Sequence, residues 1–545
     1  MGLQAALANL DDIGTPACKP WREKIILRRR ELGTLLCNQY RSIAKRKTYI
    51  DANRWLGQIE RELKLAQTGL YYDSGEEQLR DYAIAKAHNL HKEIYDLVDK
   101  VGKQIAIQVM RQRVALMGIE LPLPEHYTQD QVVAAMARVV DPKWLFRKLR
   151  KIQWRGLEQF IRGYGGVGVH RDLYVSDASL HRRQRQRARN KALMECLEAE
   201  NEQGQTFTLA ELAALSPSNP IVRRAELMVR ARGFEDFANQ SGDFVGLFFT
   251  LTCPSKYHAR LHSGAANPKY NGSSPLDAHD YLNGVWQLTR SAWDREGIAA
   301  FGMRTVEPHH DGTPHWHLLL FVHKDRAAVA QRIFEHYALT EDGDEPGAQK
   351  NRIKTVTIDP AKGSATGYIA KYIAKNIDGH NVGADTYGRD AVESAARIEA
   401  WASIWGIRQF QQIGGASVTV WRELRRLEAE HVDQSLLAAA TRAADEGNWA
   451  EYTRLMGGAI CPRKDRPLRP MMLPQKEPGQ YGEIIKKLKG LWFGPQGITT
   501  RIHEWTVRLL ANSREDAEPD CESFAFGVAL NQAPPHGGVT LEFCQ

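Results

Sequence analysis

Two short patterns in this chain hold residue types that can break a phosphodiester. His315-Trp316-His317 lies in EPHHDGTPHWHLLLF (307–321), and Tyr368 and Tyr372 lie four apart in YIAKYIAKNI (368–377). With 18 His and 18 Tyr in 545 residues, about 0.6 of each spacing would arise by chance, so neither pattern decides anything alone. On a strand, residues two apart project from one face, so His315 and His317 would offer two ring nitrogens to one divalent cation. Glu307, on the preceding strand, could add an oxygen, and His309 shares its face and competes for that place. Register decides between arrangements. A two-residue turn at Asp311-Gly312 would set Glu307 opposite Trp316, on the wrong face, whereas an odd-length loop would pair it with His315 or His317.

On a helix, Tyr368 and Tyr372 share a face, flanked by Lys371 and Lys375, while Ile369, Ile373 and Ile377 recur on another face as a core anchor. A phenol with a pKa of about 10 is a poor nucleophile at neutral pH, and nearby cations would favour the phenolate. A metal ion would offset charge developing on a phosphoryl oxygen. Together these parts describe transesterification, in which a tyrosine attacks a phosphodiester and conserves the bond as phosphotyrosine. The same residues also suit a hairpin with part-buried histidines and a packed helix with snorkelling lysines.

The elements that must position these groups are legible as patterns. Residues 1–120 show helical periodicity, as in ANRWLGQIERELKLAQ, and ELPLPEHYTQD (120–130) reads as a linker. A basic helical region follows over 121–240, with an exposed helix at HRRQRQRARNK (181–191). FVGLFFTLTCP (244–254) reads as a strand, 276–297 as a helix, and 297–323 as two strands joined near Asp311-Gly312. A helix at 326–339, a strand at 352–359 and a helix at 365–378 complete a compact α+β unit over 241–428. That order predicts an antiparallel sheet with helices on one face. Residues 429–545 form a smaller C-terminal region with helical character to about Gly458 and no assigned role.

Composition narrows the function classes. Apolar residues make up 43% and charged residues 25%, as in ordinary globular proteins. No run of about 20 apolar residues could cross a bilayer, and neither a secretory signal nor a myristoylation pattern is evident. Seven cysteines without a CxxC suit a reducing cytoplasm. Net charge is +8, yet residues 143–191 alone hold fourteen Lys or Arg against three acids. Such a block suits a polyanion, with Lys143, Arg147, Lys148, Arg150, Lys151, Arg182, Arg183, Arg185, Arg187 and Arg189 as candidate DNA contacts, together with Lys375. Trp144, Phe146, Trp154 and Phe160 interleave with the charges, as base stacking would require.

In order along the chain, FFTLTCPS (248–255), EPHHDGTPHWHLLLF and YIAKYIAKNI resemble the three motifs of the HUH endonuclease superfamily, in its two-tyrosine branch. DASLHRRQRQRARN (177–190), IRQFQQIGGASVTVWRELRRL (407–427) and, more weakly, PGQYGE (478–483) further resemble the phage replication gene A protein family. The resemblance covers roughly residues 143–427. It implies a ferredoxin/RRM-like HUH domain that nicks one strand of an origin, single-stranded or supercoiled, to start rolling-circle replication. One of Tyr368 or Tyr372 would take the 5′-phosphate and leave a 3′-OH, and the other would act at termination. His315 and His317 match the paired metal ligands, Glu307 is the third candidate, and Lys371 matches the lysine that accompanies the tyrosines. Mg2+ or Mn2+ is the implied ion. Phe248, Thr250 and Thr252 read as scaffold beneath the site. No G-x-x-x-x-G-K-[ST] occurs, so a host helicase would unwind the duplex and a host polymerase would extend the 3′ end, in the bacterial cytoplasm. The competing expectations are a relaxase or two-tyrosine transposase of a mobile element, a non-catalytic origin-binding protein, and a phosphodiesterase using water.

Overall fold

The computed structural model describes residues 2–379, 383, 387–427 and 435–510; Cys521 and Cys544 lie outside them. The first 140 residues are helical, as their periodicity predicts, and they build two apolar cores. Helix α1 (Pro142–Gly163) runs through both, giving Trp144, Phe146 and Leu149 to one and Leu157, Phe160 and Ile161 to the other. This corrects the base-stacking expectation. Trp144, Phe146 and Phe160 are 7%, 1% and 8% exposed, because burying large rings on one helix face outweighs leaving them in water. Helix α2 (Asp177–Cys196) is the exposed arginine-rich helix expected there, capped by Ser176. Beyond it the helical reading runs too far. Leu197–Asn201 and Thr206–Thr208 are strands, and the first also pairs with Trp505–Leu509 from far along the chain, a partner that no local pattern reveals.

The site rests on a five-stranded antiparallel sheet. Its strands are β1 (Phe244–Leu251), β2 (Ala300–Pro308), β3 (Pro314–His323), β4 (Ile353–Thr357) and β5 (Phe410–Ile413), in the order β4–β1–β3–β2–β5. The last strand is not evident from the local pattern. Helices cover both faces rather than one. On one side α3 (Pro220–Ser241) and α6 (Ala365–Ile377) bury Phe234, Ile369 and Ile373 against Phe248, Phe301 and Phe321. On the other, α4 (Pro275–Arg295), α5 (Ala327–Ala338) and α7 (Ala391–Trp405) bury Trp286, Phe334 and Trp401 against Phe249, Leu318 and Leu320. Two-sided burial explains why β2 and β3 are buried along nearly their whole length and why residues 318–322 of β3 read as a continuous apolar run instead of alternating.

The register of β2 and β3 resolves the hairpin. Glu307 pairs with His315 and Pro308 with Pro314, leaving a five-residue loop, 309–313. Its ends are closed by the His309 N–H donating to the Thr313 carbonyl (2.7 Å) and the Gly312 N–H donating to the His309 carbonyl (2.8 Å). Gly312 takes φ +82°, a conformation that favours glycine. C-terminal helices Ser435–Asp445 and Trp449–Leu455 join the α3–α6 core, as does a three-stranded meander, Leu468–Pro474, Lys486–Phe493 and Gln496–Thr499. Among the described residues all five cysteines are unpaired, and no helix is long and apolar enough to cross a membrane.

Candidate active site

Strand pleat sets the first half of the site. Residues 315, 317, 319 and 321 share one face of β3; Leu319 and Phe321 lie in the core beneath α6, while His315 and His317 continue that row toward the loop. The odd loop puts Glu307 on the same face. Glu307, His315 and His317 offer ligand atoms within 4.8 Å of one another, as the one such cluster among the described residues. His315 Nε2 and His317 Nε2 stand 3.8 and 3.9 Å from Glu307 Oε2. His309 is not in that cluster, but its ring lies 4.1 Å from the His315 ring.

Helix α6 supplies the other half. Ser364 caps it, accepting from the Gly367 N–H (3.0 Å), and the Glu235 carboxylate accepts from the Ala365 and Thr366 N–H groups, complementing the helix dipole. Ile369 and Ile373 are fully buried, which orients the opposite side of the helix along the histidine row. Tyr372 stacks on His317 with ring centres 3.9 Å apart and an interplanar angle of 25°. Phe248 packs against His317, Tyr368 and Tyr372 at 5.7–5.8 Å, so this β1 side chain touches the site itself. Thr250, registered opposite His317, bonds its Nδ1 (3.1 Å), which leaves Nε2 toward Glu307. Thr252 instead bonds the Asn351 carbonyl and fits the scaffold reading. Tyr368 and Lys371 are exposed, whereas Lys375 is turned inward and buried.

Lys375 Nζ donates to Glu307 Oε2 (3.1 Å), and Asn376 donates to Glu307 Oε1 and to the Tyr372 carbonyl (2.6 Å). Asn376 was not foreseen, although its i, i+4 relation to Tyr372 was available in the sequence. The electrostatics also differ from expectation. Burial first, and the Glu307 charge second, push the Tyr372 phenol above its ordinary value, because the lysine expected to lower it is spent on Glu307. Burial drives His317 down to about 4, opposed by Glu307 and reinforced by Lys375, and it holds His315 well below the imidazole range. Both rings are therefore neutral at pH 7 and carry a free lone pair.

These residues fit a divalent cation. His317 Nε2, the ring nitrogen that faces Glu307, is buried without a hydrogen-bond partner. Metal–ligand bonds of about 2.1 Å place neighbouring ligand atoms roughly 3.0–3.4 Å apart, which a small contraction of the cluster would reach. The carboxylate suits Mg2+ or Mn2+, and the two imidazoles suit zinc and its neighbours.

A buried arginine on α1 fixes the loop. The Arg162 guanidinium donates to the carbonyls of Asp311 (2.7 Å), Ser273 (2.7 Å) and Tyr257 (2.8 Å), to Thr313 Oγ1 (2.8 Å) and to the Tyr270 hydroxyl (2.9 Å). Nothing in the local sequence separates this arginine from its basic neighbours.

The bacteriophage replication gene A protein family model matches residues 76–380, more than half of the chain and all of the groups just described. This chain belongs to that family. The match begins within the N-terminal helices, well before the resemblance noted from the motifs. Curated relatives agree with the family. The chain is 40% identical over 396 residues to the replication gene A protein of Escherichia phage 186, covering 70% of this chain and 57% of that protein. It is 36% identical to the replication gene A protein of Escherichia phage P2 (70% and 52%). It is 34% identical to a probable replication endonuclease from a prophage-like region of Salmonella paratyphi A (74% and 53%). The chain thus spans little more than half the length of these relatives. No solved structure is significantly similar to it.

Within this family member the arginines and lysines expected to hold DNA are largely engaged with acids. Arg150 and Arg189 share Glu76 (3.2 and 3.1 Å), Arg182 meets Glu31 (2.7 Å), Arg183 and Arg187 meet Glu399, and Lys375 meets Glu307. Arg185 bonds the His181 carbonyl, Lys148 lies over Trp144 and Lys151 is exposed; Lys143 and Arg147 are half-buried.

Proposed function

We propose that this protein is a replication-initiating DNA endonuclease that nicks one strand by tyrosine transesterification, as the two-tyrosine HUH nucleases do. The observation that carries the reading is the stacking of Tyr372 on His317 at the edge of the Glu307–His315–His317 cluster, with Tyr368 one turn away. The name of the Salmonella relative, a probable replication endonuclease, supports the same reading. A bound Mg2+ or Mn2+ would supply Lewis-acid stabilisation of charge on the phosphoryl oxygens. The chain's own residues do the rest. His315 and His317, with Glu307, would hold the ion beside the phenols, and Thr250 fixes the His317 ring. A tyrosine Oη bonds to phosphorus as the P–O3′ bond breaks; the phenol gives up its proton, and the departing 3′ oxygen takes one up. The 5′-phosphate remains on tyrosine, and the free 3′-OH primes synthesis. Attack by a 3′-OH on the phosphotyrosine reverses the step and rejoins the strand. Unwinding and elongation fall to a host helicase and polymerase in the bacterial cytoplasm.

The test uses the purified chain and labelled single-stranded oligonucleotides tiled along the replicon that encodes it, with and without Mg2+. A protein–DNA adduct that survives denaturation is expected. It should vanish in the double variant Tyr368→Phe, Tyr372→Phe and persist in part in each single variant. His315→Ala should lose metal-stimulated cleavage and keep DNA affinity. Adduct from the double variant, or cleavage that leaves no strand on the protein, would refute the proposal.

A further inference from the structure

The acids around α1 and α2 neutralise part of the basic block, and a second concentration of positive charge lies in the C-terminal part of the described chain. Residues 463–489 hold eight Lys or Arg against three acids. One of those acids, Glu483, is already paired with Arg138. Arg463, Lys464, Arg469, Lys476, Lys486 and Lys489 have no carboxylate partner among the described residues, and all but Lys489 are exposed. Strand Leu468–Pro474 and strand Lys486–Phe493 form an antiparallel pair that carries Arg469, Lys486 and Lys489, with Lys476 just beyond the first strand. Leu468 and Leu491 face the core that also holds Ile369 and Ile373 of α6. Arg469, registered opposite Trp492, therefore lies on the outer face. The connection between the strands is clamped rather than loose: the Tyr481 hydroxyl donates to Asp141 and the Arg138 guanidinium lies over the Tyr481 ring (4.8 Å) at the start of α1.

We propose that this C-terminal meander is a second DNA surface, which grips the phosphate backbone of duplex DNA flanking the nick site. Charge and spacing favour a duplex. Arg469 and Lys486 are separated by about five residues of strand, roughly 17 Å, a length over which duplex DNA carries about ten phosphates. Single-strand binding would call for a row of stacking platforms, whereas this strand pair offers one half-buried ring, Trp492 opposite Arg469, with Phe493 packed against the core and Tyr481 turned to Asp141. The meander lies outside residues 76–380, so family membership alone says nothing of it. The inference rests on the nicking reading only for the choice of DNA as the polyanion.

The test measures binding of a fluorescent 30-base-pair duplex by the full chain across a salt series. The variants are Arg469→Glu, Lys476→Glu, Lys486→Glu combined, and the same three sites changed to Gln. Wild type should show a steep salt dependence. Loss of three contacts should flatten the slope of log K against log salt by about 2.7 and weaken binding about 100-fold at 0.15 M salt. The Gln variant should lose a similar slope, and both should still form the tyrosine adduct with a short single-stranded oligonucleotide. Variants that bind duplex as wild type does, while adduct forms normally, would overturn this inference and leave the nicking reading intact. A wild type that ignores duplex but binds phosphatidylserine vesicles through these residues would overturn it too. Salt-sensitive duplex binding that the variants lose, in a chain that forms no adduct, would support the surface and count against the nicking reading alone.

Discussion

Replacing Lys375 with Met isolates the electrostatic core of the site. Glu307 is 1% exposed and Lys375 8%, and their side chains meet at 3.1 Å. Removing one partner of a buried pair leaves the other charge uncompensated, which costs about 3–5 kcal/mol in general. Asn376 still donates to Glu307 and the His315 edge is partly open, so a value of about 3 kcal/mol is expected. For a unit of roughly 200 residues that lowers the melting midpoint by about 6–12 °C. Added Mn2+ should then stabilise the variant more than wild type, because no ammonium competes for Glu307 Oε2, and a ligand at 100 times its Kd contributes about 2.7 kcal/mol. Tryptophan fluorescence suits the measurement, since Trp286, Trp316 and Trp401 lie in the sheet core. Thermal unfolding would be followed in EDTA and in Mn2+. If the variant melts with wild type in EDTA, or if Mn2+ raises both equally, the buried pair does not govern this site.

Thr250→Val removes the group that orients His317 and should weaken Mn2+ binding about 10–100-fold by calorimetry, with the fold intact. Arg162→Lys cannot reproduce the fork of bonds to the hairpin loop; it should cost about 3 kcal/mol of stability and speed hydrogen exchange at 309–313. His279, 7% exposed, is pushed down to about 4 by burial and by Arg304. Below about pH 6.5 the unfolded chain takes up a proton that the folded chain refuses, so stability falls as pH drops from about 6.5 to about 4, by roughly 3 kcal/mol for this group. His279→Phe should remove that part of the acid sensitivity, read as the difference between melting curves at pH 7 and pH 4.5.

Residue chemistry and local periodicity made much of this molecule legible. The paired histidines on a strand, the tyrosines on a capped helix and the isoleucines that anchor it all follow from periods of 2 and 3.6, which depend only on neighbouring residues. What tertiary structure alone decided concerns partners distant in sequence. The five-residue loop selected Glu307 over His309 for the cluster, Lys375 turned from a flanking cation into the counter-charge of Glu307, and Phe248 became part of the site. Arg162 looked like one more member of a basic block and is the anchor of the loop. Trp144, Phe146 and Phe160 of that block went to the core, and many of its arginines to acids distant in sequence. Charge and hydrophobicity are properties of single residues, but whether a cation meets an acid or a phosphate depends on which surfaces the folded chain brings together.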